Sequence, residues 1–163
     1  MQLIAWVAFR VGSLTLALPR ERIGRIISIP ALGRPPGLPS AIEGILDLAG
    51  RAVPVIRLDR LLGLPPILRH PYQHVVVLRE IEPVVALLVD RVTGILRIPS
   101  EAESPLPPTE TFNDCVTALY SAPDSTQIHL LSPERLLSER ERLALIDFQA
   151  TEQRRLAELR STA

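Results

Sequence analysis

Ile42-Glu43-Gly44-Ile45-Leu46-Asp47-Leu48-Ala49-Gly50-Arg51-Ala52-Val53-Pro54-Val55-Ile56-Arg57-Leu58 is the stretch whose reading decides the fold. Two apolar runs flank Ala49-Gly50-Arg51, and a glycine between such runs reads as the turn of a β-hairpin. Pro54 has no N–H to give a ladder, which demotes its strand to an edge or a bulge. Arg57 to Leu62 fits one or two helical turns, ended by Gly63.

The same pattern extends outward in both directions. Residues 3–9 and 14–18 form a first hairpin around Gly12-Ser13. Residues 22–29 make a strand stopped by Pro30, and residues 31–39 an exposed Pro/Gly loop. Residues 64–72 are a proline-punctuated linker. The β-branched runs 74–78 and 84–89 are the clearest strands. A strand over 92–98 closes at Pro99, an acidic Pro-rich loop follows over 100–113, and strands at 115–120 and 127–131 complete the set. With 16 prolines against 8 glycines, long helices are forbidden almost anywhere before Pro133. Short strands at this spacing predict an all-β barrel or sandwich, with no room for βαβ crossovers.

The character changes after Leu131. Ser132-Pro133 reads as an N-cap followed by proline at the first helical position. The spacing predicts a helix over 133–160, with Leu136, Leu137, Leu143, Leu145, Ile146 and Phe148 facing inward. Leu156 and Leu159 are sparser, so the far end is expected to project into solvent or to fray. Its charged surface is read as a solvated face.

Composition narrows the chemistry. Eighteen basic residues balance eighteen acidic ones, which gives no long-range pull toward nucleic acid or an anionic membrane. Every basic residue is Arg, so lysine-dependent mechanisms are absent. The single Cys115 excludes an internal disulfide and reads as an inert core thiol in a reducing cytoplasm. No apolar run approaches the roughly 18 residues of a membrane span, and residues 1–9 lack the basic start of a signal peptide. His70 and His74 stand four apart, but Pro71 breaks any helix between them, and His129 sits in a strand. Asp47, Asp59 and Asp90 read as turn carboxylates bonding backbone amides. Trp6, Phe9 and Tyr120 lack the basic interleaving of a nucleic-acid reader. No HExxH, CxxC, GxSxG or phosphate loop is present, so no enzyme, metal or cofactor is expected.

Two segments resemble something specific. The stretch 42–58 is similar to the hallmark of CheW-like domains, roughly hydrophobic-x-Gly-Val-Ile-Asn-Leu-Arg-Gly-x-x-x-Pro-Val-x-x-Leu, with Pro39 as the proline before it. Ala86-Leu87-Leu88-Val89-Asp90-Arg91-Val92-Thr93-Gly94-Ile95-Leu96 resembles the second hallmark, and residues 9–19 look like the family's first hairpin. The resemblance covers residues 3–137. It implies two intertwined SH3-like five-stranded β-barrels with a C-terminal α-helix. On this reading residues 1–137 are the CheW-like domain and 138–163 a helical extension.

The resemblance also implies a non-catalytic adaptor in a chemotaxis or related motility array. Its expected partners are the regulatory domain of a CheA-type histidine kinase and the cytoplasmic tip of a chemoreceptor. By family position, a receptor groove uses Ile23, Ile26, Leu87 and Val89. A kinase-facing surface uses Leu46, Leu48, Ala49 and Val55. The chain departs from the pattern at telling places. Ala49 stands where the family has Arg, Asp47 where it has Asn, and Arg25 where it has an acid. Loss of one charge and reversal of another imply altered partner choice. Two alternatives stand beside this reading. One is an accessory protein that binds a single array partner. The other is a small β-barrel enzyme, which requires His74, His129 and a carboxylate to converge.

Overall fold

The computed structural model describes residues 2–107 and 115–161. The first hairpin joins β1 (Leu3–Val11) to β2 (Leu14–Pro19) through Gly12-Ser13, with Val11 opposite Leu14. Gly12 takes φ +60, as the first position of a two-residue hairpin turn demands. Next come β3 (Ile23–Ser28), β4 (Ile42–Leu48) and β5 (Arg51–Arg57), then the single helical turn α1 (Leu58–Leu61). They are followed by β6 (His74–Leu78), β7 (Ala86–Val89), β8 (Arg91–Pro99) and the two-residue β9 (Ser104–Pro105). The order closes with β10 (Val116–Ser121), β11 (Gln127–Leu131) and α2 (Glu139–Ser161).

The strands form two sheets. One runs β8-β1-β2-β11-β10-β9, and the other runs β3-β6-β7-β5-β4. Each is antiparallel but for one pair: β11 lies parallel to β2, and β5 parallel to β7. All five strands of the second sheet fall between β2 and β8 in the chain, so one sheet is nested inside the sequence of the other.

Alternation along the strands builds three layers of core. On β7, Ala86 and Leu88 turn into the second sheet's own interior, whereas Leu87 and Val89 turn into the layer it shares with the first. On β2, Leu16 and Leu18 enter the shared layer while Ala17 enters the first sheet's interior with Trp6, Ile98 and Leu130. Both faces of these strands are covered, which is why they read as unbroken apolar runs.

Several expectations need correction. Pro54 lies in an internal strand, and β4 is the edge. The ladder between β5 and β7 begins only at Val55, so the proline sits just outside it, buried and opposite Ile45. The 31–39 loop is anchored: Gly33 and Ile45 exchange two backbone hydrogen bonds at 2.9 and 2.8 Å. The 100–113 loop contains a 3-10 turn over Ser100–Ala102 and then β9, while its residues 108–113 lie outside the described residues.

The C-terminal helix starts later than predicted. Pro133–Arg135 is only a 3-10 turn, and the Ser132 side chain caps nothing there. The true start is Ser138. Its amide donates to Glu141 Oε1 at 2.9 Å, and the Glu141 amide donates to Ser138 Oγ at 3.2 Å. This reciprocal capping box satisfies two backbone donors at once. The register shift matters for the buried face. Leu136 and Leu145 are buried, but Leu143 and Ile146 are exposed.

Candidate functional site

Between β3 and the β1–β8 pair lies a groove of about 390 Å³. Val7, Ile23, Ile26, Val92 and Ile95 give it apolar walls, and Arg20, Arg25 and Arg79 line it as cations, with no acidic residue among the lining side chains. Ile26 and Ile95 are large apolar residues left exposed, at 40% and 57%. The Arg79 Nε donates to the Glu21 carbonyl and is thereby fixed, while Arg25 projects from an exposed position of β3. An exposed apolar floor under a one-sign rim is the surface chemistry of a protein-binding groove.

The structure brings together three of the predicted residues here, Ile23, Arg25 and Ile26. It does not bring Leu87 and Val89 to the groove. Both are fully buried in the core layer shared by the sheets, because their β7 positions face inward. Sequence reasoning missed the groove's other wall, Val92 and Ile95. The signal was present: two apolar residues in a run whose intervening positions are exposed.

The second predicted surface is the β4–β5 hairpin. Leu48 pairs with Arg51 across Ala49-Gly50, and both turn residues have positive φ, +52 and +90. That is the demand of a type I′ turn, and Ala49 meets it against the steric preference of its Cβ. The Asp47 carboxylate accepts the Gly50 amide at 2.9 Å, the turn role read from sequence. Ala49 is exposed and Leu48 half-buried, but Leu46 and Val55 are buried inside the second sheet's core. Of these four predicted residues, only Leu48 and Ala49, at the hairpin tip, reach the surface.

The far end of α2 reaches this hairpin. Gln149 Nε2 donates to the Ala52 carbonyl at 3.0 Å, the Ala52 amide donates to Gln153 Oε1 at 2.9 Å, and Gln153 Nε2 donates to the Gly50 carbonyl at 2.8 Å. Arg160 Nη2 lies 3.4 Å from both Asp47 carboxylate oxygens. The far end neither frays nor stands clear of the protein: it stays helical to Ser161, and although Leu159 is exposed, its polar side chains grip a strand.

Charged groups elsewhere hold loops in place. Asp59 is fully buried and accepts from Arg57 Nη2 at 2.9 Å and from the Ile67 amide at 3.0 Å. Burial alone pushes its carboxyl up, but those hydrogen bonds outweigh it and hold the group below the usual carboxylate value. Glu43 gathers Arg34 at 2.7 Å and Arg69. Asp90 is more than a local turn carboxylate. It accepts the Gly12 amide at 2.7 Å, tying the second hallmark to the first hairpin. Its other oxygen faces His70 Nε2 at 3.3 Å, on the wall of a cavity of about 510 Å³ under the 64–68 linker.

The histidines do not share a site. His74, on β6, accepts the Val92 amide at 3.1 Å, and His129, on β11 of the other sheet, faces the Thr15 carbonyl at 3.3 Å. The described residues contain no group of three or more His, Cys, Asp or Glu side chains placed to hold a metal. Cys115 is a buried thiol. No described helix is long and apolar enough to cross a membrane.

Comparison with known proteins gives the fold and the family. A scaffolding protein, TtCheW from Thermoanaerobacter tengcongensis, superposes with a TM-score of 0.75 at 21% identity, over 85% of this chain and 90% of that one. Its architecture of two SH3-like barrels is the architecture of the two sheets here. A probable chemotaxis protein CheW of Rhizobium etli is 30% identical over 139 residues, 83% of this chain and 88% of that protein. The chemotaxis protein CheW of Helicobacter pylori is 23% identical over 138 residues, 85% of this chain and 84% of its own length. Protein PilI of Pseudomonas aeruginosa is 28% identical over 107 residues, a match spanning 64% of this chain and only 59% of PilI. The CheW-like domain model matches residues 5–141, and the chain is a member of the CheW-like domain family.

Proposed function

We propose that this protein is a non-catalytic adaptor that links chemoreceptor tips to the regulatory domain of a CheA-type histidine kinase. It would act in the cytoplasm, in a chemotaxis or related motility array. The observation that carries the reading is the groove between the sheets, with its exposed apolar floor and its rim of Arg20, Arg25 and Arg79. A helix that lays an apolar stripe on Ile23, Ile26 and Ile95 and carries acids on its flank matches it in shape and sign. Arg25 then selects acidic receptors and disfavours basic ones. The kinase domain meets the hairpin tip at Leu48 and Ala49, on the opposite edge of the second sheet from β3.

Titration calorimetry tests this with the cognate kinase regulatory domain and a receptor-tip fragment. Binding of both supports the linking role. Failure of both to bind at high micromolar concentration overturns it. Ala49 favours a second reading, an accessory protein that binds one partner only. It predicts a single interaction, with Ala49→Arg recovering the other.

A further inference from the structure

We propose that the outer face of α2 pairs with the same face of a second copy of this chain, the two helices crossing antiparallel about a two-fold axis between Leu143 and Ile146. The inference stands apart from the adaptor reading and concerns a face which that reading leaves unused. Its starting point is a row of exposed apolar side chains. Leu143 is 53% exposed and Ile146 36%, and the exposed Ala150 continues the line. Their i, i+3, i+7 spacing puts all three on one side of the helix. The side that packs on the sheet is a different one, carrying Leu145, Gln149 and Glu152. Single exposed apolar residues are ordinary, but a row at this spacing is the seam along which helices pair.

The charges beside the row say what covers it. Glu139 pairs with Arg142, Glu152 with Arg155 and Arg160 with Asp47. Arg140 and Asp147, both exposed, form no ion pair among the described residues. They stand seven residues apart on the same flank of the row, about 10 Å along the axis, too far to reach each other. Arg140 also lies in the first turn of α2, where the helix dipole opposes a cation. A second α2 running antiparallel removes both mismatches. With Leu143 of one copy on Ile146 of the other, each Arg140 comes beside the Asp147 of the opposite copy, and the two-fold repeats the pair. The incoming carboxylate then meets a guanidinium and the positive end of a helix together. A parallel pairing would set Arg140 on Arg140 and Asp147 on Asp147, so the charges fix the direction as well as the partner. The contact is small, of the size of a weak, reversible dimer.

Sedimentation velocity of the full chain over a concentration series at low salt is expected to show a reversible monomer–dimer equilibrium. Arg140→Asp and Asp147→Arg each set like charges face to face, and each is expected to raise the dissociation constant about tenfold. An equimolar mixture of these two variants restores both opposite-charge pairs, so it is expected to dimerise again, as is the double variant. Leu143→Ser should abolish pairing while leaving the thermal midpoint of the dilute chain unchanged. A chain that stays monomeric up to high micromolar concentration overturns the proposal. So does a dimer indifferent to the charge reversals, or a mixture that stays monomeric. If a monomeric chain instead loses affinity for a kinase regulatory domain or a receptor-tip fragment on Leu143→Ser, the face belongs to that partner and the second copy is overturned.

Discussion

The Arg57 guanidinium holds the fully buried Asp59 carboxylate at 2.9 Å across the single intervening Leu58. The same carboxylate accepts the Ile67 amide, so one charge pins both the helical turn after β5 and the linker beyond it. Asp59→Ala removes the partner of a largely buried guanidinium and of a backbone donor, and should cost about 3 kcal/mol in urea denaturation.

That pair also sets a pH dependence. The folded Asp59 carboxyl lies below its unfolded value of about 3.9. Its stabilisation is complete at pH values well above that and is lost as pH falls through the folded value. The urea midpoint should therefore drop steeply below about pH 4. Asp59→Asn should show a shallower decline over the same range, and an identical slope in the two proteins would refute the assignment.

Gly44 is the closest approach of two segments. A Cβ there would stand 2.7 Å from Leu32 Cβ and 2.9 Å from the Gly33 carbonyl. Gly44→Ala should cost about 2 kcal/mol and release the Gly33–Ile45 bridge. Accelerated exchange of the Gly33 amide reads the second effect.

Ala49 carries a positive φ that its side chain opposes. Ala49→Asn places the preferred residue before Gly50 in a type I′ turn and should stabilise the fold by about 0.5–1 kcal/mol. A thermal melt showing no rise would mean that the hairpin tip relaxes without strain.

Ser138→Ala should cost about 1 kcal/mol by removing half of the capping box. The loss should appear as faster exchange in the first turn of α2, with the β-sheets unaffected.

How much of this was legible depended on range. The Gly12 and Gly50 turns were readable because a hairpin is a local object and its glycine sits in the sequence beside the strands it joins. Of the three rim arginines the sequence singled out only Arg25, and the rim could not be assembled, since Arg25 and Arg79 come to one groove only through the pairing of β3 with β6. Leu87 and Val89 were misplaced because a strand buried on both faces gives no alternation to tell groove from core. Ser132-Pro133 outcompeted Ser138 as a helix start because proline is a louder local signal than the S-x-x-E spacing. The hold of α2 on β5 was invisible for a different reason: glutamine on a helix ordinarily reads as solvated, and only tertiary structure shows that Gln149 and Gln153 face the Ala52 backbone.

The nesting of one sheet within the other sets an order of assembly. The five strands of the second sheet are contiguous in sequence, so they can pair as soon as Val89 has left the ribosome. The first sheet must wait, because Thr15 on β2 takes Ile128 on β11 as its neighbour. During synthesis β2 stands with one side open while more than half of the chain is still to come. Parallel pairing over so long a separation is slow to form. The nascent chain therefore passes through a stage in which one barrel is complete and the other is a bare hairpin, its apolar face shielded by the finished neighbour it already packs against.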